Sequence, residues 1–177
     1  MAYLDQFTIP FLGLSLGEHE YEFQITNAFF EQEGFMDSEI KSADVKVKVL
    51  LNRQETLLIL NFDIEATIGV DCDRCLTNYS LPVNSQQKLI VKFDNEPYND
   101  TDDILVLSPS TTILNLAQTL YEYLGLLLPY QRIPCEDKED TSLCDKEVLN
   151  KLEQYSLKST EQNDSRWEAL KKIKTKE

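Results

Sequence analysis

The stretch from Glu55 to Val70, ETLLILNFDIEATIGV, decides the fold class. Leu58, Leu60, Phe62 and Ile64 fall on alternate positions, and Asn61, Asp63 and Glu65 stand between the later ones. A period of two turns one set of side chains to a core and the other to water. Such a strand needs neighbours before it is stable, and the chain supplies them on both sides. Upstream, Val45, Val47 and Val49 alternate with Lys46 and Lys48, and Tyr21, Phe23 and Ile25 alternate between Glu20 and Thr26. A first strand is expected near Gln6 to Leu12. Downstream, a polar turn around Asp71 to Tyr79 leads to Gln86–Phe93 with Leu89, Val91 and Phe93 inward, and 104–107 supplies one more short strand.

The period changes at Ser110. Ile113, Leu116, Ala117, Leu120, Leu124 and Leu127 recur at spacings of three and four, which predicts an amphipathic helix capped by Ser110 or Thr111 and stopped by Pro129. Val148, Leu149, Leu152 and Tyr155 suit a second helix behind Asp145. Trp167, Leu170 and Ile173 suit a short last one behind Asp164, with Lys171, Lys172, Lys174 and Lys176 at the end where the helix dipole favours cations. Strands first and helices after is an α+β order, and the lack of β-α-β alternation argues for an antiparallel sheet or partly open barrel with a helical C-terminal portion. The expected organisation is a single domain over 1–177. Within it, 1–109 is mainly β, 110–157 is helical and holds the second cysteine pair, and 158–177 is a linker and a short basic helix.

Charge excludes a general affinity for nucleic acid. Thirty-one acidic residues against 17 basic ones leave a net charge of -14, which repels polyphosphate at long range. The segment from Arg166 to Glu177 runs against this trend with five basic residues and two acidic ones. If RNA is touched directly, the candidates are Arg166, Lys171 and Lys172 there, and Lys46, Lys48, Lys88 and Lys92 on the outer faces of strands. The same strand lysines also read as ordinary edge protection. Basic protein partners are electrostatically easier for such a chain. The first forty residues hold no Lys or Arg, and the apolar run Leu124–Leu128 is far below the roughly 20 residues of a spanning helix. A cytoplasmic protein without a membrane segment is expected.

His19, the single histidine, lies between Glu18 and Glu20 and reads as a solvated turn residue rather than a catalytic base. The acidic loop Asp94, Glu96, Asp100, Asp102 and Asp103 lacks the glycine and spacing of a calcium loop. Five glycines in the whole chain leave little for a phosphate loop.

The cysteines carry the chemistry. Cys72 and Cys75 sit two residues apart in a turn between strands, where both thiolates can aim at one ion; Cys135 and Cys144 follow in a loop between helices. Three readings stand side by side: one structural zinc held by all four, buried or free thiols without metal, and redox chemistry. The acids around the second pair, Glu136, Asp137, Glu139, Asp140, Asp145 and Glu147, weigh against a further negative centre and also against a reactive thiolate. A thioredoxin-type motif would need a helix directly after Cys75, and the following segment reads as strand.

Taken in order, Cys72-Asp73-Arg74-Cys75-Leu76 at a strand turn, the helix Leu120-Tyr121-Glu122-Tyr123-Leu124-Gly125-Leu126 ending in Leu128-Pro129, then Pro134-Cys135, Leu143-Cys144 and Asp164-Ser165-Arg166 resemble the YceD-like family of large ribosomal RNA subunit accumulation proteins over roughly Val45 to Ile173. Asp145 stands where that pattern has glycine, and Ser165 where it has proline. The resemblance implies a non-enzymatic factor in biogenesis of the large ribosomal subunit, acting by binding in accumulation or processing of its RNA. Its partners would be ribosomal proteins or a large-subunit RNA precursor complex. The rival reading is a thiol- or zinc-dependent enzyme acting on RNA precursor or protein disulfides, which needs an open metal position or a low-pKa thiol. A generic acidic adaptor unrelated to ribosomes is the third.

Overall fold

A computed structural model of the chain describes residues 3–35, 39–94, 103–134 and 143–156. Its centre is a five-stranded sheet in the order β2-β3-β4-β5-β6, built from β2 (Gly17–Thr26), β3 (Ser42–Arg53), β4 (Leu57–Asp71), β5 (Asn78–Phe93) and β6 (Ile104–Leu107). The first four strands pair antiparallel in chain order, and β6 adds to β5 in parallel. The sheet is open, not closed into a barrel, so the fold is α+β with a mainly antiparallel sheet. Among the described residues the β5–β6 pair is the one parallel pairing in this sheet, which is otherwise antiparallel as the strand pattern predicts.

The alternation in the 55–70 stretch does what its period requires. Leu58, Leu60, Phe62 and Ile64 are buried, while Asn61, Asp63 and Glu65 are exposed. Over the buried face lie a 3-10 turn (Tyr3–Phe7), the single helical turn α1 (Asn27–Phe30) and α2 (Ala117–Leu127). Aromatic rings fasten these pieces. Phe29 meets Phe7 at 5.2 Å, Phe30 at 5.3 Å and Phe35 at 5.0 Å between centroids, and α2 adds Tyr121 against Phe35 and Tyr123 against Phe62.

Two segments differ from the sequence expectation for one shared reason. The strand expected at Gln6 to Leu12 is reduced to β1 (Thr8–Ile9), and it pairs with β7 (Leu114–Asn115) instead of joining the main sheet. That pairing takes Leu114 and Asn115 out of the predicted helix, so α2 starts at Ala117 and not near Ser110. The cap position falls on Leu116, which offers no side-chain cap in place of Ser110 or Thr111; Asn115 Oδ1 accepts the Ala117 amide at 2.9 Å, and Ile113 is exposed. The stop holds: α2 ends at Leu127, and Leu128 turns extended, the conformation a following proline imposes.

The last described helix, α3 (Lys146–Tyr155), starts where the sequence placed it. Asp145 Oδ1 accepts from the amides of Glu147 and Val148 at 2.8 and 3.3 Å. No residue of α3 is fully buried; its apolar Val148 and Leu149 rest on a small second core made of cysteine side chains. The predicted helix at Trp167 to Ile173 and the linker before it lie outside the described residues.

Candidate metal centre

The turn between β4 and β5 runs from Cys72 to Thr77 and is drawn tight by Leu76 N–H to Cys72 O and Cys72 N–H to Thr77 O, both 2.9 Å. Leu76 takes a left-handed φ of 60° and points its side chain to solvent, which lets the chain reverse directly after Cys75. Both cysteines then face inward at 1% and 4% exposure, and Cys144, at 7%, joins them from the residue preceding the α3 cap. The three sulfurs lie within 4.8 Å of one another. Zn–S bonds of ~2.3 Å in a tetrahedron put neighbouring sulfurs roughly 3.8 Å apart, so this cluster needs only a small contraction to close on one ion.

The surroundings suit ionised sulfur. The Arg74 amide donates to Cys72 Sγ at 3.4 Å, and the Thr77 and Asp145 amides are aimed at Cys75. Burial pushes the Cys75 thiol up, but the Thr77 hydroxyl and amide, the Asp145 amide and the Cys72 thiol outweigh it and bring the pKa from 9.0 to about 7. The N-terminus of α3 adds the positive end of its dipole beside Cys144. Neither Cys72 nor Cys75 is disulfide-bonded, whereas Cys144 is in a disulfide. A disulfide sulfur is no thiolate ligand, so Cys144 can serve a metal only after reduction. Cys135 lies outside the described residues.

A pair of residues that sequence reading passed over holds the loop to this turn. Asp73 N–H donates to Arg132 O at 2.9 Å, the Arg132 amide returns a bond to Asp73 Oδ2 at 2.7 Å, and the guanidinium reaches Asp73 at 3.3 Å and Glu39 at 3.1 Å. This clamp fixes the chain three residues before Cys135 against the turn that carries Cys72 and Cys75. Its members are 59 residues apart, and nothing in their local sequence announces the contact. Arg132→Ala removes the side-chain half and leaves the backbone half. We expect a loss of about 1–2 kcal/mol in urea unfolding, with Arg132→Lys intermediate because lysine cannot span two carboxylates in one plane.

The strand lysines sit elsewhere. Lys46, Lys48 and Lys88 project from the exposed face of the sheet, where Lys48 stands between Glu22 and Asp63 and Lys46 between Gln24 and Glu65. Glu20, Glu22, Lys48, Asp63, Gln86 and Lys88 line a shallow depression across these strands. Lys92 is half-buried near the end of β5. His19 bonds the Ser15 carbonyl through Nε2 at 2.9 Å. Arg166, Lys171 and Lys172 lie outside the described residues.

A family model described as large ribosomal RNA subunit accumulation protein YceD matches residues 60–174, more than half of the chain. The chain belongs to the YceD family. No curated protein and no solved structure matches it. The YceD segment begins inside β4 and takes in the cysteine turn, the Arg132 loop, α2 and α3, whereas β2 and β3 precede it. That description ties the family to accumulation of the large ribosomal RNA subunit. Among the described residues no helix is long and apolar enough to cross a membrane.

Proposed function

We propose that this YceD protein acts in the cytoplasm as a binding factor in biogenesis of the large ribosomal subunit, and that Cys72, Cys75, Cys135 and Cys144 hold one structural zinc ion. The observation that carries the metal reading is the convergence of three buried sulfurs from two distant parts of the chain, with amide donors directed at two of them. Bound zinc would supply a cross-link between the β4–β5 turn and the start of α3. Catalytic zinc keeps a position open for water or substrate, and four thiolates leave none. The lowered pKa of Cys75 is the one feature that favours the thiol-enzyme rival, yet the residue is buried, at 4% exposure.

The functional reading rests on membership of the YceD family and on the acidic surface, which suits basic ribosomal proteins better than bare RNA. Sucrose-gradient sedimentation of a tagged chain from growing cells tests it. The chain is expected to travel with large-subunit precursors, and its deletion to reduce large-subunit RNA relative to small-subunit RNA. A chain found wholly at the top of the gradient, with RNA ratios unchanged on deletion, would overturn the reading in favour of an unrelated acidic adaptor.

A further inference from the structure

We infer that the free edge of β2 receives a basic, extended segment of a partner protein as an added strand. β2 is an outermost strand of the sheet, ten residues long, and pairs only with β3. In an edge strand, alternate residues turn their N–H and C=O groups outward. Among the described residues no backbone hydrogen bond outside the sheet reaches β2. At about 3.3 Å per residue this leaves roughly 33 Å of edge.

Long edges are usually blunted by charged side chains, lysine above all, by proline or by a bulge; GEHEYEFQIT has no lysine or proline and keeps an unbroken register with β3, so its only such protection is acidic and repels acidic neighbours while admitting a basic one. Its exposed face carries Glu18, Glu20 and Glu22, and on the other face Tyr21 and Phe23 are only half covered by the core. A second copy would set these glutamates beside its own, which destabilises a strand pair. RNA would bring phosphates to the same carboxylates and has no peptide N–H and C=O ladder to pair with the strand. What fits both faces is an extended peptide with Lys or Arg at alternate positions and apolar residues between them, paired through its backbone. That the partner is a ribosomal protein rests on the proposed function; the edge pairing does not.

The probe is a capped peptide Lys-Val-Lys-Val-Lys-Val-Lys with a fluorophore, titrated with the full chain by anisotropy. Two peptide controls are the same composition with the lysines grouped, and the alternating peptide N-methylated along one edge. Saturable binding is expected, at least about tenfold tighter than for either control, and a Glu18→Lys, Glu20→Lys double variant, whose partners across the strand pair are Asn52 and Leu50, should lose about tenfold or more while unfolding at the wild-type temperature. Equal binding of the grouped peptide would reduce the contact to charge attraction and overturn the inference. So would an unaffected double variant, preference for a large-subunit RNA fragment, or self-association through this face in ultracentrifugation. A chain that co-sediments with precursors but ignores the peptide refutes the edge alone; one that binds the peptide but never co-sediments refutes the ribosomal reading alone.

Discussion

A Cys72→Ser chain is expected to lose the proposed zinc site and its hold on α3 together. Cys72 is almost wholly buried and its sulfur takes the Arg74 amide. A serine hydroxyl there is a poor zinc ligand and leaves the remaining thiolates without charge compensation. Structural zinc contributes about 10–16 kcal/mol in small zinc-finger peptides, where folding depends wholly on the ion. Here the sheet has a core of its own, so the loss concentrates on the part that rests on the sulfurs. Val148 and Leu149 of α3 pack on the cysteine cluster, and no residue of that helix is fully buried elsewhere. Far-UV circular dichroism should show a loss of helix, and limited proteolysis should open the chain between about residues 134 and 156, while the sheet still unfolds cooperatively. A variant with wild-type proteolysis and no change in metal content would refute a structural role for this turn.

The second large effect belongs to the main core. Phe29 is fully buried and touches Phe7, Phe30 and Phe35, so it joins the N-terminal 3-10 turn, α1 and the loop that leads to β3. Phe29→Ala removes a full ring and its edge-to-face partners. About 3–5 kcal/mol should be lost in urea unfolding, a large share of the 5–15 kcal/mol typical of a domain. Phe29→Leu, which refills most of the volume, should recover more than half of it. A loss under about 1 kcal/mol for the alanine variant would mean that the aromatic cluster is not what closes the sheet's inner face.

How much of this was legible depends on whether the signal is local. The sheet was readable because Val45, Val47, Val49, Leu58, Leu60, Phe62 and Ile64 each announce their face by alternation, and all of them are buried. Asp145 was readable as a cap because capping is a contact between neighbours in sequence. The start of α2 was not, because a helical period ran on through Ile113 while a two-residue pairing with β1 claimed Leu114 and Asn115. Non-local pairing overrode a local pattern there. The cysteine site was partly readable: the spacing of Cys72 and Cys75 pointed to an ion and Cys144 was named with them as a candidate ligand, but how closely Cys144 approaches and the Asp73–Arg132 clamp are tertiary events with no local trace. The acids that weighed against a metal are also partly explained, since the Asp145 carboxylate is occupied with the α3 amides.

The measurement that bears most directly on the cysteine centre is native mass spectrometry of the chain purified under reducing conditions without chelator, set beside its denatured mass and a count of titratable thiols. One zinc per chain, with four free thiols after denaturation, is the predicted result. A metal-free chain that keeps the Cys144 disulfide, or one with four free thiols and no ion, would contradict it.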